Sequence, residues 1–331
     1  MKRRLSEARE RGVTKAFALP ALLLTVLMGA AAYQGPPAGQ GHDLGSYRIS
    51  VDVALVVLHA TVIDRQGGFV SDLGAQDFTV YENGVQQRIR IFKGEDVPVT
   101  VGLIVDHSTT MLPKLAEVTT AARTFVQSSN REDEMFVVNF NEKVSLGLPA
   151  AIRFTDNTTE LEHAITRVEA GGETALYDAI AKGLEELRAG SRDKKVLIVV
   201  SDGGDNASAH RLDQVMQLAA HSSAVIYTIG LFDEDDPDRN PGVLKHLARA
   251  TGGEAFLPGQ LSQVVTICGR IARDIRHQYT IGYVPSDRTR DGAYRVIRVV
   301  AQAKDHGRLS VRTRTGYIGG GEPALGAKSA R

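Results

Sequence analysis

Two carboxylates and three hydroxyls stand in three separate loops of this chain. Residues 101–111 read VGLIVDHSTTM, so an apolar run stops at Asp106 and Ser108, Thr109 and Thr110 follow at once. Asp202 comes directly after KKVLIVVS in SDGGDN, and Thr174 comes after Gly171 and Gly172 in GGETALYDAI. An all-oxygen donor set built from Asp106, Ser108, Thr110, Thr174 and Asp202 selects a hard cation, Mg²⁺ or alternatively Mn²⁺ or Ca²⁺. A single cysteine and the lack of a histidine cluster offer zinc no site of the usual kind. Neutral hydroxyl ligands leave such an ion electrophilic and hydrated, open to a carboxylate from another molecule. Taken singly, Asp, Ser or Thr after a strand is more often a helix cap, and Thr110 with Pro113 could simply start the helix that holds Leu115. Capping would have to explain three loops leaving the same edge of one sheet.

The elements that must position these residues are legible in the hydropathy pattern. Continuous apolar runs at 97–105, 134–140, 196–200 and 224–231 read as strands buried on both faces. Between them Leu115, Val118, Ala122, Phe125 and Val126 share a helical face, as do Leu161, Ile165 and Val168, then Leu176, Ile180, Leu184 and Leu187, and then Leu212, Val215, Met216 and Ala219. The alternation implies an α/β fold, a doubly wound and mostly parallel sheet, whose ligands bind outside the carboxyl ends of the strands. A long helix at 261–276 closes this region, with Cys268 among Leu261, Val264, Val265, Ile271 and Ile275 on its apolar face, so the cysteine reads as core.

On either side the period changes to two. Ile49, Val51, Val53, Leu55 and Val57 alternate, and Asn83-Gly84 in DFTVYENGVQQRIRIF signals a tight hairpin. After His277, QYTIGYV, AYRVIRVVAQA and RLSVRTRTGYI alternate again. Each β segment alone is marginal for independent stability. Residues 47–96 and 277–318 are therefore expected to form one β-sandwich into which an α/β domain, 97–276, is inserted; two separate β modules are the alternative.

Residues 1–32 combine a basic start with the uncharged run AFALPALLLTVLMGAAA, and Ala30 and Ala32 give a small-x-small cleavage pattern. This reads as a signal peptide and predicts a periplasmic or secreted product. An uncleaved membrane anchor at 16–32, short and interrupted by Pro20, is the second reading. Residues 33–46 read as a linker and 319–331 as a disordered tail. The chain has 39 basic and 39 acidic residues, so no overall field attracts nucleic acid or anionic lipid. Without residues 1–32 the balance is 33 basic to 37 acidic, a net charge of −4.

The spacing Asp106-x-Ser108-x-Thr110, with Thr174 after two glycines and Asp202 in Ser201-Asp202-Gly203, resembles the metal-ion-dependent adhesion site of von Willebrand factor type A domains. The resemblance covers about 97–276, including LKHLARATGGEAF at 244–256. The β flanks are similar to a bacterial exported group of VWFA-related proteins. The resemblance implies a Rossmann-like fold with a metal at the top of the sheet. It also implies direct ligation by Ser108, Thr110 and often Thr174, with Asp106 and Asp202 acting largely through water. Thr110 stands where the family usually has Ser, Thr109 stands where Gly is common and is expected to stiffen or crowd the loop, and Glu173 adds a charge beside Thr174.

Other residues carry less. The acidic stretch Asp233, Glu234, Asp235, Asp236 and Asp238 lacks a calcium-loop spacing and reads as a solvated loop. His107 is expected at the surface, and Asp205 and Asn206 are expected to shape the turn after Asp202. The expected role is that of a non-catalytic adhesion or scaffold module, which takes an acidic residue of a partner protein at the metal. The alternative is a Mg²⁺-dependent phosphatase of haloacid-dehalogenase type with Asp106 as nucleophile. Its general acid would have to be the residue at 108, and serine cannot serve there at neutral pH.

Overall fold

The structure, a computed structural model, describes residues 55–94, 96–232 and 239–320. The signal-peptide and linker segments, residues 47–54 with the alternation at Ile49, Val51 and Val53, residues 233–238 of the acidic stretch and residues 321–331 of the tail lie outside the described residues.

Within the described residues the N-terminal segment forms β1 (Val56–Ile63), β2 (Phe78–Glu82), β3 (Val85–Gln87) and β4 (Ile89–Lys93). Asn83 and Gly84, with φ of 48° and 82°, turn the chain between β2 and β3. The continuous apolar runs become β5 (Val99–Asp106), β6 (Glu134–Phe140), β8 (Lys194–Ser201) and β9 (Val225–Gly230), with short edge strands β7 (Val144–Leu146) and β10 (Ala255–Phe256). Helices α1 (Leu115–Ser128), α2 (Thr158–Ile165), α3 (Leu176–Leu187), α4 (Leu212–His221), α5 (Pro241–Thr251) and α6 (Gln263–Arg276) alternate with them. The chain then runs through β11 (Tyr279–Tyr283), β12 (Tyr294–Ala301), β13 (Ser310–Arg312) and β14 (Gly316–Ile318). Among the described residues no helix is long and apolar enough to cross a membrane.

The central sheet has the order β10-β9-β8-β5-β6-β7. Its pairings are parallel except at β7, which runs antiparallel to β6. Every residue of β5 is buried, which is why its sequence is a run and not an alternation. Leu103 and Val105 pack under α1 and α6 with Val118, Phe125, Val264 and Cys268, whose thiol burial pushes up to about 12. Ile104 meets α3 at Gly183 on the other face. The chain leaves β5 toward β6 and later returns to its other side at β8. The switch point of this winding therefore lies between β5 and β8, where open sheets of this kind bind ligands.

The flanking segments form one sandwich. Its sheets, β13-β1-β11-β4 and β14-β12-β2-β3, each take strands from both ends of the chain. Leu58, Ala60 and Val62 of β1 share a core with Phe78 and Val80 of β2, Tyr279, Ile281 and Tyr283 of β11, and Ile297 and Val299 of β12. The Phe78 ring sits 5.3 Å from that of Phe92 and 4.9 Å from that of Tyr279.

The other face of β1 is polar and meets the α/β domain. Thr61 Oγ1 donates to Asp274 Oδ1 of α6 at 2.6 Å, and Arg312 of β13 pairs with Asp274 Oδ2 and, at 2.7 Å, with Glu254. Gln278 Nε2 donates to Tyr227 Oη of β9 at 3.0 Å, and buried Lys194 donates to the Ile275 carbonyl at the end of α6. Desolvation lowers the Lys194 pKa to about 8 against the pull of Asp274, Asp96 and Asp133. Arg314 donates to the Ala220 and Ser222 carbonyls at 2.8 and 2.9 Å, at the C-terminal end of α4.

Removing one partner of a buried ion pair strands the other, at about 3–5 kcal/mol. Asp274→Ala is therefore expected to lower unfolding free energy in urea by about 3 kcal/mol, with Asp274→Asn milder because it keeps an acceptor for Thr61. His59, beside Thr61, has its pKa lowered from 6.5 to about 3 by burial, with Lys194 and Arg314 adding to the effect. It stays neutral in the folded protein while the unfolded chain takes up a proton, so stability falls as pH drops from 6.5 toward 3. Urea midpoints should show His59→Gln gaining about 2–3 kcal/mol on wild type between pH 7 and pH 4.5.

Candidate functional site

Asp106 is the last residue of β5 and is fully buried. Its Oδ1 accepts the Ser108 N–H at 2.8 Å, and its Oδ2 accepts from Ser201 Oγ, at the end of β8, at 2.6 Å. Burial raises its carboxyl to about 6; the bonds from Ser108 and Ser201 oppose this, and the Asp202 charge adds a smaller push upward. The sequence leaves Ser201 unassigned, yet it joins the two strands at the switch point. Thr110 Oγ1 donates to Asp202 Oδ2 at 2.6 Å and lies 3.2 Å from Ser108 Oγ. Asp202 Oδ1 accepts the Gly204 N–H at 3.1 Å.

The first and third loops thus bring Asp106, Ser108, Thr110, Ser201 and Asp202 into one hydrogen-bonded chain. The second loop is tied to the first by Thr109, whose N–H and Oγ1 both reach the Gly172 carbonyl, at 3.3 and 3.1 Å. Thr109 is exposed, so the bulk expected to crowd the loop instead staples two loops together. Thr174, largely buried, is held from the third loop: its N–H donates to Asn206 Oδ1 at 2.8 Å and its carbonyl accepts the Asn206 N–H at 3.0 Å. Asn206 therefore reaches across to another loop, a role beyond the local turn expected of it. Glu173 is exposed.

Capping does not account for the hydroxyls. Ser108 precedes a 3-10 turn, Thr109–Lys114, without making a side-chain capping bond. Nor does α3 have a side-chain cap at Ala175. Among the described residues Thr174 Oγ1 makes no hydrogen bond, and neither Asp106 nor Asp202 forms an ion pair.

His107 corrects its sequence expectation. It is 1% exposed, because its N–H donates to the Phe140 carbonyl at 2.7 Å and carries the β5–β6 ladder one residue past Asp106. Its Nε2 lies 3.1 Å from Asn139 Oδ1, while Asn139 Nδ2 donates to the Ala164 carbonyl at 2.7 Å; burial lowers the His107 pKa.

Among the described residues no group of three or more His, Cys, Asp or Glu is placed to hold a metal ion. An ion here would have to use hydroxyls. The donors fit one: neighbouring ligands of an octahedral ion at about 2.1 Å lie about 3 Å apart, close to the 2.6 and 3.2 Å spacings of Asp202, Thr110 and Ser108.

The second loop has its own backbone requirement. Gly172 has φ of 84°, and a Cβ there would lie 1.7 Å from Glu142 Oε2. The Glu142 carboxylate can swing away, whereas the left-handed backbone cannot be relieved. Gly172→Ala should cost about 1–2 kcal/mol by urea unfolding, and the added Glu142→Ala should recover little of it.

Residues 101–204 match the family model described as von Willebrand factor type A domain. An uncharacterized protein of Synechocystis sp. is 25% identical over 163 residues, which are 47% of this chain and 37% of that protein, so the chain spans about a third of that relative's length. Among solved structures, a von Willebrand factor type A protein from Catenulispora acidiphila is similar at a TM-score of 0.47 and 11% identity, covering 80% of this chain and 74% of that one. The von Willebrand domain of the type V pili tip protein Mfa5 from Porphyromonas gingivalis is similar at 0.45 and 14%, covering 54% and 95%. The matched stretch contains Asp106, Ser108, Thr110, Thr174 and Asp202 together with most of β5 and all of β6 and β8.

Proposed function

We propose that this chain is an exported, non-catalytic protein-binding module that holds one divalent cation, Mg²⁺ or alternatively Mn²⁺ or Ca²⁺, and captures an acidic residue of a partner protein on it. Asp106, Ser108, Thr110, Thr174 and Asp202 would hold the ion. The observation that carries this reading is the close chain of Ser108 Oγ, Thr110 Oγ1 and Asp202 Oδ2, with spacings of 3.2 and 2.6 Å and no capping role for Ser108. When bound, the ion supplies a Lewis-acidic point for a carboxylate. The protein's part is to keep the hydroxyls converged and to hold Asp106, through Ser201 and the Ser108 amide, where its charge supports the ion without being spent on a salt bridge.

The phosphatase alternative is disfavoured by geometry. Asp106 has no exposed surface and both its oxygens are engaged, so an in-line attack on phosphorus has no approach. Residue 108 offers no proton donor of suitable pKa. Export rests on the order of charge, apolar run and small residues in 1–32.

A cation that binds only the folded state stabilises it by about 2.7 kcal/mol at a hundredfold excess over its dissociation constant. Thermal unfolding of wild type should shift upward with millimolar Mg²⁺ relative to EDTA, and Asp106→Ala should show no such shift. Equal midpoints for wild type in Mg²⁺, Mn²⁺, Ca²⁺ and EDTA would remove the metal from this reading. Partner capture should be lost with EDTA and with Thr174→Ala, without Mg²⁺-dependent phosphate release by wild type. Intact-mass analysis of protein from the native host should place the mature N-terminus after Ala32; a chain starting at Met1 in the membrane fraction would favour the anchored form.

A further inference from the structure

Helix α3 starts directly after Thr174 and Ala175, and the first amides of a helix need acceptors from outside it. Alanine cannot supply one. The acceptors come from the loop that follows Asp202. Asp205 Oδ1 accepts from Tyr177 N at 3.1 Å and Ser208 Oγ accepts from Asp178 N at 3.1 Å, both in the first turn of α3, while Asn206 Oδ1 accepts at 2.8 Å from Thr174 N, just ahead of the helix. Ser208 Oγ in turn donates to Asp205 Oδ1 at 2.5 Å.

The exchange is reciprocal. The Thr174 carbonyl accepts from Asn206 N at 3.0 Å and Ala207 N at 3.1 Å. The Asp178 carboxylate accepts from Ala209 N at 2.9 Å and His210 N at 2.8 Å. Each loop thus satisfies the amides of the other. A local cap would satisfy α3 equally well but would leave Thr174 and Asp202 free to drift apart. Caps from Asp205 and Ser208, with Asn206 on the Thr174 amide four residues after Asp202, hold both ligand loops in one register.

We propose that Asn206, supported by Asp205 and Ser208, is the positioning residue of the cation site: by accepting the Thr174 N–H from the neighbouring loop, beside the α3 caps that Asp205 and Ser208 supply, it sets the separation of Thr174 from Asp202. Asn206 acts through Thr174 and does not itself touch the ion. The inference rests on the cation site proposed above. Groups that orient metal ligands are commonly worth ten- to a hundredfold in affinity.

The test is Mn²⁺ titration of the full chain by calorimetry, with circular dichroism in EDTA as the check on folding. Asn206→Leu, which keeps the volume and removes the acceptor, should weaken Mn²⁺ binding about tenfold or more while the metal-free variant remains folded. Asn206→Asp keeps an acceptor for the Thr174 amide and should recover most of that loss. Ser208→Ala, which removes one outer acceptor, should weaken binding in the same direction but less, and it serves if Asn206→Leu fails to fold. Wild-type Mn²⁺ affinity in the folded variants, with only the metal-free melting temperature lowered, would make the cap purely structural and overturn this inference while the cation site stands. Absence of Mn²⁺ binding by wild type would overturn both.

Discussion

The buried carboxylate of Asp274 is the point on which the two halves of this protein depend. It lies near the end of α6, fully buried, and takes a hydrogen bond from Thr61 of β1 and an ion pair from Arg312 of β13. The inserted domain is entered after β4 and left through α6, so its hold on the sandwich must be made at this end. An unpaired charge there would be costly. Lys194 on the Ile275 carbonyl, Gln278 on Tyr227 and Arg314 on the end of α4 extend the polar junction. The Phe69 ring stacks on His277, 5.4 Å away, just past α6. The C-terminal end of α6 is thereby fixed to the sandwich by several independent contacts.

The two ends of the central sheet treat charge in opposite ways. At the junction Asp274 is paired with Arg312, while Lys194 and Arg314 donate to carbonyls at helix ends. At the carboxyl ends of β5 and β8, Asp106 and Asp202 meet only amides and hydroxyls among the described residues. Neutral donors stabilise a carboxylate without cancelling its charge. Burial is the main reason Asp106 titrates upward toward about 6, with those donors opposing it and the Asp202 charge adding a smaller push. A similar economy holds within the sandwich, where buried Glu82 accepts from Tyr283 at 2.6 Å and Tyr317 at 2.9 Å and pairs with buried Arg295.

Much of this architecture could be read in advance because hydropathy period reports burial directly. The run ending at Asp106 lacks alternation because both faces of β5 are covered, whereas the core phase of β1, Leu58, Ala60 and Val62 with His59 and Thr61 on the other face, emerges only from the structure. Asn83-Gly84 announced its turn because few residues accept positive φ. Charge patterning was less informative. Nothing local in the sequence marks Asp274 or Arg312, since the residues that complete them lie 213 and 38 positions apart.

By itself, then, the sequence determined the alternation of central strands and helices, the presence of a β segment on either side of them, and the types of oxygen donor that the loops deliver. These follow from local period, turn chemistry and residue type. Only the tertiary structure decided how those donors meet. The sequence cannot show that Ser201 rather than a nearer residue holds Asp106, or that Thr109 clips the second loop. Nor can it show that His107 is buried or that Asn206 holds the Thr174 amide from another loop. Each of these depends on the distance between chain segments far apart in sequence, and that distance is set by packing the sheet, not by any residue's own preference.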